Sequence, residues 1–447
     1  MRKAIFKKLK AQGLIANYNR LRKNLPSKLP DRVFVWDGTL KEGLQTPTVF
    51  LTYVEKVKLA KAMDELGVSL ISVGSPAISE EEKNDVRRIA NEDFQQAQLA
   101  ASASMAKSDI DACLECGIRE ILLFTPFNGL NLQYRLKMTK EQVLKKTVES
   151  IEYVKKHRAT VNFVLEDASR TPLEEILQIF EAAVKAGADR LVIADTVGFL
   201  RPLSTRYLIS HIRDGLSGLI SREVPLSVSC HNDFGLATAN TLAAVEEGVA
   251  YVHTSAAGFG ERAGVAPLEE VVVALELLYN IDTGVDMKRL YRLSQLAEKS
   301  FALPIQFHKP IIGENAFSYE ADEHVHAMLA NPMIYEPFPP EIIERETTFY
   351  AGTQTGRHLV ESRLASARIK ATPRQIDEIV RRIRGVQQSI DKGGTQMTFY
   401  QIKKLMRELR KGLTEEDFWR IVKQITGQKP KSPSLRNAGK PSDALKR

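Results

Sequence analysis

The runs His231-Asn232-Asp233-Phe234-Gly235 and Gly258-Phe259-Gly260-Glu261-Arg262-Ala263-Gly264 hold the densest group of reactive side chains in the chain. Imidazole, carboxylate and guanidinium groups placed together can move a proton, hold an anionic substrate and stabilise a developing oxyanion. The first run follows the apolar pattern 225–230 and the second follows 250–254, so both sit where a strand ends. Other strand-like segments also end in polar groups. Asp37 is followed by Lys41, Glu42 and Gln45; a later segment ends Glu166-Asp167-Ala168-Ser169-Arg170; another ends Asp195-Thr196-Val197-Gly198. Chemistry gathered at several strand ends is the habit of parallel barrels, whose sites lie at the C-terminal mouth.

The elements that must position these residues alternate along the chain. Short β-branched runs at 33–37, 69–73, 98–103, 120–125, 160–166, 190–195, 225–230 and 250–254 are separated by helical periods, among them 54–66, 140–156, 172–186, 203–219 and 236–248. The period 268–279 closes the series. Eight strand-then-helix units predict an α/β fold, a (β/α)8 TIM barrel over about residues 31–285. An open doubly wound sheet would carry a Gly-rich phosphate turn after its first strand, and none is there. Helical C-terminal subdomains are expected over 286–360 and 361–427, with residues 304–340 turn-rich and helices at 373–386, 399–409 and 415–425. Residues 1–30 form a basic arm, and the Lys-, Pro- and Ser-rich tail 428–447 is expected to be disordered.

The net charge of +8 comes from the two ends, and the remainder of the chain is acidic at −6. That excludes a basic body built for nucleic acid. The arm is read as a solvated segment, with peripheral contact to an anionic membrane as the alternative. No apolar run is long enough to span a bilayer. Cys113, Cys116 and Cys230 make no disulfide framework, which fits a reducing, cytoplasmic compartment. Cys113 and Cys116 have redox-motif spacing but end a helical period rather than open one, so a structural role is expected.

The segment Asp37-Gly-Thr-Leu-Lys-Glu-Gly-Leu-Gln45, with the two runs above, resembles the 2-isopropylmalate synthase and homocitrate synthase family of metal-dependent, HMG-CoA-lyase-like barrel enzymes. The runs Glu166–Arg170, Asp195–Gly198, Lys309–Phe317, Tyr335–Phe338 and Gly356–His358 are similar to further motifs of that family, so the likeness covers about residues 30–425. No counterpart of the allosteric domain of isopropylmalate synthases is expected. The resemblance implies a Claisen-type condensation of an acyl-CoA with a 2-oxo acid. It gives Lys41, Glu42, His231, His324 and Tyr335 catalytic roles, and Gln45, Glu166, Arg170, Thr196, Glu261 and Arg262 substrate-binding roles. It also implies a homodimer in which His324 and Tyr335 reach into a neighbouring barrel.

The resemblance further implies a divalent metal cation on Glu42, on His231 and on a second histidine two residues earlier, where this chain has Ser229. Other departures touch the same site: Lys41 replaces an arginine, Ser72 an acid, and Val265 an asparagine that follows the Gly-Glu-Arg-Ala-Gly loop. Tyr319 and the pair Ala321-Asp322 also replace family residues. Two protein ligands are few for such an ion. The alternative role for His231 is a histidine held by hydrogen bonds to Asn232 or Asp233. Two functional readings follow. One is a divergent condensing enzyme that forms or cleaves a carbon–carbon bond next to a carboxylate. The other is a non-catalytic paralogue that keeps the fold and pocket and acts as a partner or regulator.

Overall fold

The computed structural model describes residues 15–220, 222–410 and 412–428. Eight parallel strands close into a barrel: β1 (Phe34–Asp37), β2 (Leu70–Ser72), β3 (Gln98–Ala103), β4 (Glu120–Pro126), β5 (Thr160–Glu166), β6 (Arg190–Asp195), β7 (Leu226–Cys230) and β8 (Tyr251–Thr254). Closure is made by β1 against β8, with Trp36 opposite His253 and Asp37 opposite Thr254. The helices after successive strands are α1 (Tyr53–Leu66), α2 (Glu80–Ala90), α3 (Lys107–Glu115), α4 (Lys140–Lys156), α5 (Leu173–Ala186), α6 (Pro202–Ser217), α7 (Ala237–Glu246) and α8 (Leu268–Ala274). The eight strand-then-helix units expected from periodicity are all present, and the TIM-barrel fold class holds.

Local chemistry starts these helices where the barrel needs them. Thr52 and Glu55 form a reciprocal capping box on α1, and Thr139 and Gln142 do the same on α4. On α5 the buried residues Ile176, Ile179, Phe180, Ala183 and Val184 recur at helical spacing and face the strands. Strand alternation divides the sheet residues into two sets. Val35, Ile71, Ala101, Ile121, Phe163, Leu191, Val228 and Val252 pack outward in the main core. Trp36, Leu70, Ala100 and Leu122 point inward and pack with Val164 and Tyr251. Below them Arg190 donates to Glu120 at 2.7 Å and to Asn162 at 2.8 Å, so the floor is plugged by a satisfied polar layer.

The barrel is followed by α9 (Leu290–Phe301), α10 (Asp322–Ala330), α11 (Arg357–Ser366) and α12 (Pro373–Gln388). The proline-rich stretch 304–340, expected to be turns, contains the nine-residue α10. Its prolines lie outside the helix, and Val325 and Met328 give it a buried side. A short parallel pairing of β9 (Ser318–Tyr319) with β10 (Thr348–Phe349) precedes α11. Residues through Ile390 form one compact unit, and those from Asp391 form a second. The second unit contains α13 (Lys392–Leu409), which starts earlier than its apolar period suggested, and α14 (Glu415–Thr426), capped by Thr414. The tail expected to be disordered lies outside the described residues from 429 onward, as does the arm up to residue 14.

Asp37, expected at the mouth, follows the inward-facing Trp36, so strand alternation turns its carboxylate away from the barrel interior. Oδ1 accepts the Thr39 amide at 2.7 Å, and Oδ2 has no hydrogen-bond partner among the described residues. Burial pushes its acidity up to about 7, against the pull of the Thr39 contacts. An acid whose pKa is raised on folding binds its proton more tightly when folded, so its contribution to stability is full below about pH 4 and lost as pH rises through about 7. Asp37→Asn keeps the acceptor without the charge. It should flatten the pH dependence of denaturant unfolding over that window, leaving the variant on the order of 4 kcal/mol less pH-sensitive than the wild type. Equal slopes in both proteins would show that Asp37 is not the group responsible.

Candidate active site at the C-terminal mouth

A tight turn after β1 carries the first pair. The Gly38 amide donates to the Thr254 carbonyl at 2.7 Å, and the Lys41 and Glu42 amides both donate to the Gly38 carbonyl. This holds Lys41 and Glu42 together, with Lys41 Nζ 2.5 Å from Glu42 Oε1 and both side chains mostly covered. Burial alone would raise the Glu42 pKa. The Lys41 charge and hydrogen bond, with His231 and His253 nearby, outweigh it and hold the carboxyl below its usual range. Glu42 is therefore an anion at neutral pH.

The second group joins β6, β7 and the loop after β8. Arg262 grips Asp233 through Nε and Nη2, at 2.7 and 2.9 Å. The same Nη2 donates to the Thr196 carbonyl at 2.7 Å and lies 3.2 Å from His231 Nδ1. Its backbone is left-handed, with φ of 56°, which suits the tight Gly258–Gly264 loop. Gly198 permits this convergence, because a Cβ there would lie 2.9 Å from both the Asp233 nitrogen and the His231 oxygen. His231 is mostly buried. Desolvation pulls its pKa down, Glu42 opposes that, and Arg262 and Lys41 add to it, so the imidazole is neutral. The expected bonds from His231 to Asn232 or Asp233 are replaced by this contact with Arg262. Asn232 is instead occupied by the Ala237 amide, and Asp233 by the guanidinium.

The remaining expected residues divide into those at the mouth and those away from it. Glu166 pairs with Arg135 at 2.5 Å, while its Oε2 is buried without a partner among the described residues. Thr196 Oγ1 accepts the Asp167 amide at 2.8 Å, and Arg170 makes a two-point contact with Asp167. Glu261 is half-exposed and pairs with Arg262 at 3.0 Å. Gln45 lies exposed on the short turn Gly43–Gln45. His324 and Tyr335 pack ring to ring at 4.4 Å on and just after α10, both exposed. Among the described residues no hydrogen bond or ion pair links these two side chains to the barrel mouth. Cys113 and Cys116 are buried and unpaired. Burial pushes the Cys113 thiol up to about 12, in keeping with a structural role.

Two inward-facing residues, Trp36 and His253, add to the site without lying in any of the motifs named above. His253 stacks on Trp36 at 4.4 Å, and Trp36 Nε1 donates to Ser72 Oγ at 2.8 Å. His253 Nε2 is buried with no hydrogen-bond partner among the described residues. Burial lowers its pKa to about 3 despite the nearby Glu42. Alternation along β8 was the available signal, since Tyr251 and His253 share a face.

The metal site implied by the resemblance can be tested on these side chains. Ser229 alternates inward between the outward-packed Val228 and Cys230, so a neutral hydroxyl stands where a histidine would be. Glu42 Oε1 is already taken by an ammonium. Val265 is buried and apolar. Among the described residues no group of three or more His, Cys, Asp or Glu is placed to hold a metal ion. These residues do not fit a divalent cation.

The model named HMGL-like matches residues 32–297, more than half of the chain. The chain belongs to the HMGL-like family. A second model, homocitrate synthase post-HMGL domain-like, matches residues 311–391 and so includes α10 to α12. The HMGL-like chain is 38% identical over 404 residues to a 2-isopropylmalate synthase of Methanocaldococcus jannaschii, covering 90% of this chain and 73% of that protein. It is 37% identical over 400 residues to a homocitrate synthase of Methanothermobacter thermautotrophicus, covering 90% and 95%. In three dimensions it is similar to the HMG-CoA lyase of Bacillus subtilis, with a TM-score of 0.56 at 20% identity over 62% of this chain and 96% of that one, a likeness of fold.

Gly264 is the backbone position on which the Arg262 loop turns. Its φ is 84°, and a Cβ there would lie 2.0 Å from the Gly258 carbonyl oxygen. Gly264→Ala should destabilise the protein by about 2 kcal/mol or more in denaturant unfolding. A change within error of zero would mean that the loop reshapes freely and does not fix Arg262.

Proposed function

We propose that the chain is an acyl-CoA/2-oxo acid condensing enzyme of the 2-isopropylmalate and homocitrate synthase type. The observation that carries this is that the Lys41–Glu42 pair lies within electrostatic reach of the His231–Arg262 pair at the C-terminal mouth of a barrel. Synthase relatives aligned along nine-tenths of the chain support it. No comparison favours the non-catalytic alternative.

In such a reaction the acyl methyl gives a proton to a base, and the resulting carbanion bonds to the ketone carbon of the 2-oxo acid. The ketone oxygen takes up the charge and then a proton, and water releases the coenzyme thiol from the thioester. Glu42, kept ionised beside Lys41, has the charge state of a base, and Glu166 Oε2 is a second carboxylate oxygen without a partner among the described residues. Lys41 supplies positive charge for the carboxylate or the oxyanion. Arg262 acts as a positioning residue, because four of its five donors are engaged by Asp233, Glu261 and Thr196. The exposed pair His324 and Tyr335 supports a homodimer in which each subdomain faces the other barrel. Gln45, Arg170 and Glu261 are assigned to the outer rim, where an acyl-CoA would enter. No helix among the described residues is long and apolar enough to cross a membrane.

Thiol release from acetyl-CoA should appear on addition of one of pyruvate, 2-oxoisovalerate or 2-oxoglutarate, and not with acetyl-CoA alone. Glu42→Gln should lower that rate by roughly a hundredfold, the usual scale for losing a positioned base. No thiol release with any of the three acids, whether or not magnesium or manganese is present, would contradict the assignment.

A further inference from the structure

The barrel mouth carries positive charge of its own where the family resemblance implies a cation. Lys41 Nζ occupies Glu42 Oε1 at 2.5 Å, and an ammonium has three donors, so two remain to be directed elsewhere. The contact between Arg262 Nη2 and His231 Nδ1 has a chemical consequence. Nη2 spends its two protons on Asp233 and the Thr196 carbonyl and has no lone pair to accept a third, so a proton on Nδ1 would point at the guanidinium, and the single ring proton sits on Nε2. A histidine in that form offers a hydrogen-bond donor at its free nitrogen and no lone pair for a metal.

The arrangement is held on both sides. Arg262 is fixed by its two-point contact with Asp233 and by the Thr196 carbonyl. Ser229, on the inward face of β7 two residues before His231, and the buried Val265 add no charged ligand. Trp36, anchored on Ser72 and stacked on His253, fills the barrel interior on the other side.

We propose that this site binds its 2-oxo acid without a divalent cation, the Lys41 ammonium and the His231 Nε2–H taking the oxygens that a metal ion would otherwise hold. This rests on the condensing-enzyme reading and specifies how its oxo-acid site is charged. Lys41 acts as a hydrogen-bonding cation and not as a nucleophile, because its nitrogen is engaged as a donor to Glu42 Oε1 at 2.5 Å. No covalent step is involved. An ammonium is a compact point charge, suited to a carboxylate or keto oxygen approaching from one side.

The test is isothermal titration of the full chain, dialysed against EDTA, with pyruvate, 2-oxoisovalerate and 2-oxoglutarate. Each titration is run in EDTA and again with magnesium or manganese. One of the acids should bind in EDTA, and adding metal should change its Kd by less than about twofold. Lys41→Met should weaken that binding roughly tenfold or more, the scale expected for losing a charge-assisted hydrogen bond, and Lys41→Arg should recover part of it. Melting curves of the variants separate lost contacts from lost folding. Binding seen only with magnesium or manganese, or stoichiometric binding of either metal alone, would overturn the metal-free site while leaving the condensing-enzyme reading in place. If none of the acids binds in either condition while acetyl-CoA-dependent thiol release is also absent, the functional reading itself falls. Borohydride trapping of a 2-oxo acid on Lys41 would also overturn the proposal, since it would make the lysine a nucleophile.

Discussion

The site depends on one guanidinium. Arg262 projects from a loop after β8 and joins the end of β6, through the Thr196 carbonyl, to the end of β7, through Asp233 and His231. A planar fork can grip Asp233 and reach the Thr196 carbonyl at once while its edge lies against His231, and a lysine ammonium in its place could not span them in the same plane. The loop that aims it needs a left-handed Arg262 and the glycines on either side, and the loop is joined to the barrel through the Asn232 amide on the Gly264 carbonyl. The orientation and proton position of His231 follow from that single contact. The histidine's chemistry is therefore set by a residue thirty-one positions later in the chain.

Much of this was legible in the sequence, for identifiable reasons. Buried parallel strands read as short β-branched runs, and the bounds of β3, β5 and β6 coincide with those runs. The polar strand ends identified the mouth because barrels place reactive groups there. The helix α10 was less visible, since a nine-residue helix between prolines has too few turns to show a period. At the site, sequence proximity suggested Asn232 and Asp233 as partners of His231, and the structure gives that place to Arg262. Strand alternation could have set Asp37 apart from the mouth, since it follows the inward-facing Trp36 and its carboxylate is taken by the Thr39 amide. His253 and Trp36 lie far apart in the chain, and only closure of β8 onto β1 stacks them.

The substitutions that set this chain apart from the pattern it resembles act together. Serine at 229 and valine at 265 remove polar ligands. Lysine at 41 brings a flexible ammonium onto Glu42 in place of a planar guanidinium. Serine at 72 receives the Trp36 indole where an acid would leave a further negative charge in the barrel. Each change alone is a modest alteration of one strand end. Together they convert a site described by ligand lone pairs into one described by hydrogen-bond donors. The fold tolerates the conversion because the outward-facing core residues of the same strands are untouched by it.

The chemistry of the site turns on where the His231 proton sits. The chain has eight histidines, few enough for nitrogen-15 labelling and assignment by comparison with His231→Gln. A long-range proton–nitrogen correlation spectrum near neutral pH should show His231 as a neutral ring protonated at Nε2, unchanged when EDTA or magnesium is added. Arg262→Met should release that tautomer preference. A ring protonated at Nδ1, or an Nε2 resonance that shifts on adding magnesium or zinc, would contradict the account, because either would return the histidine to the form that binds a metal.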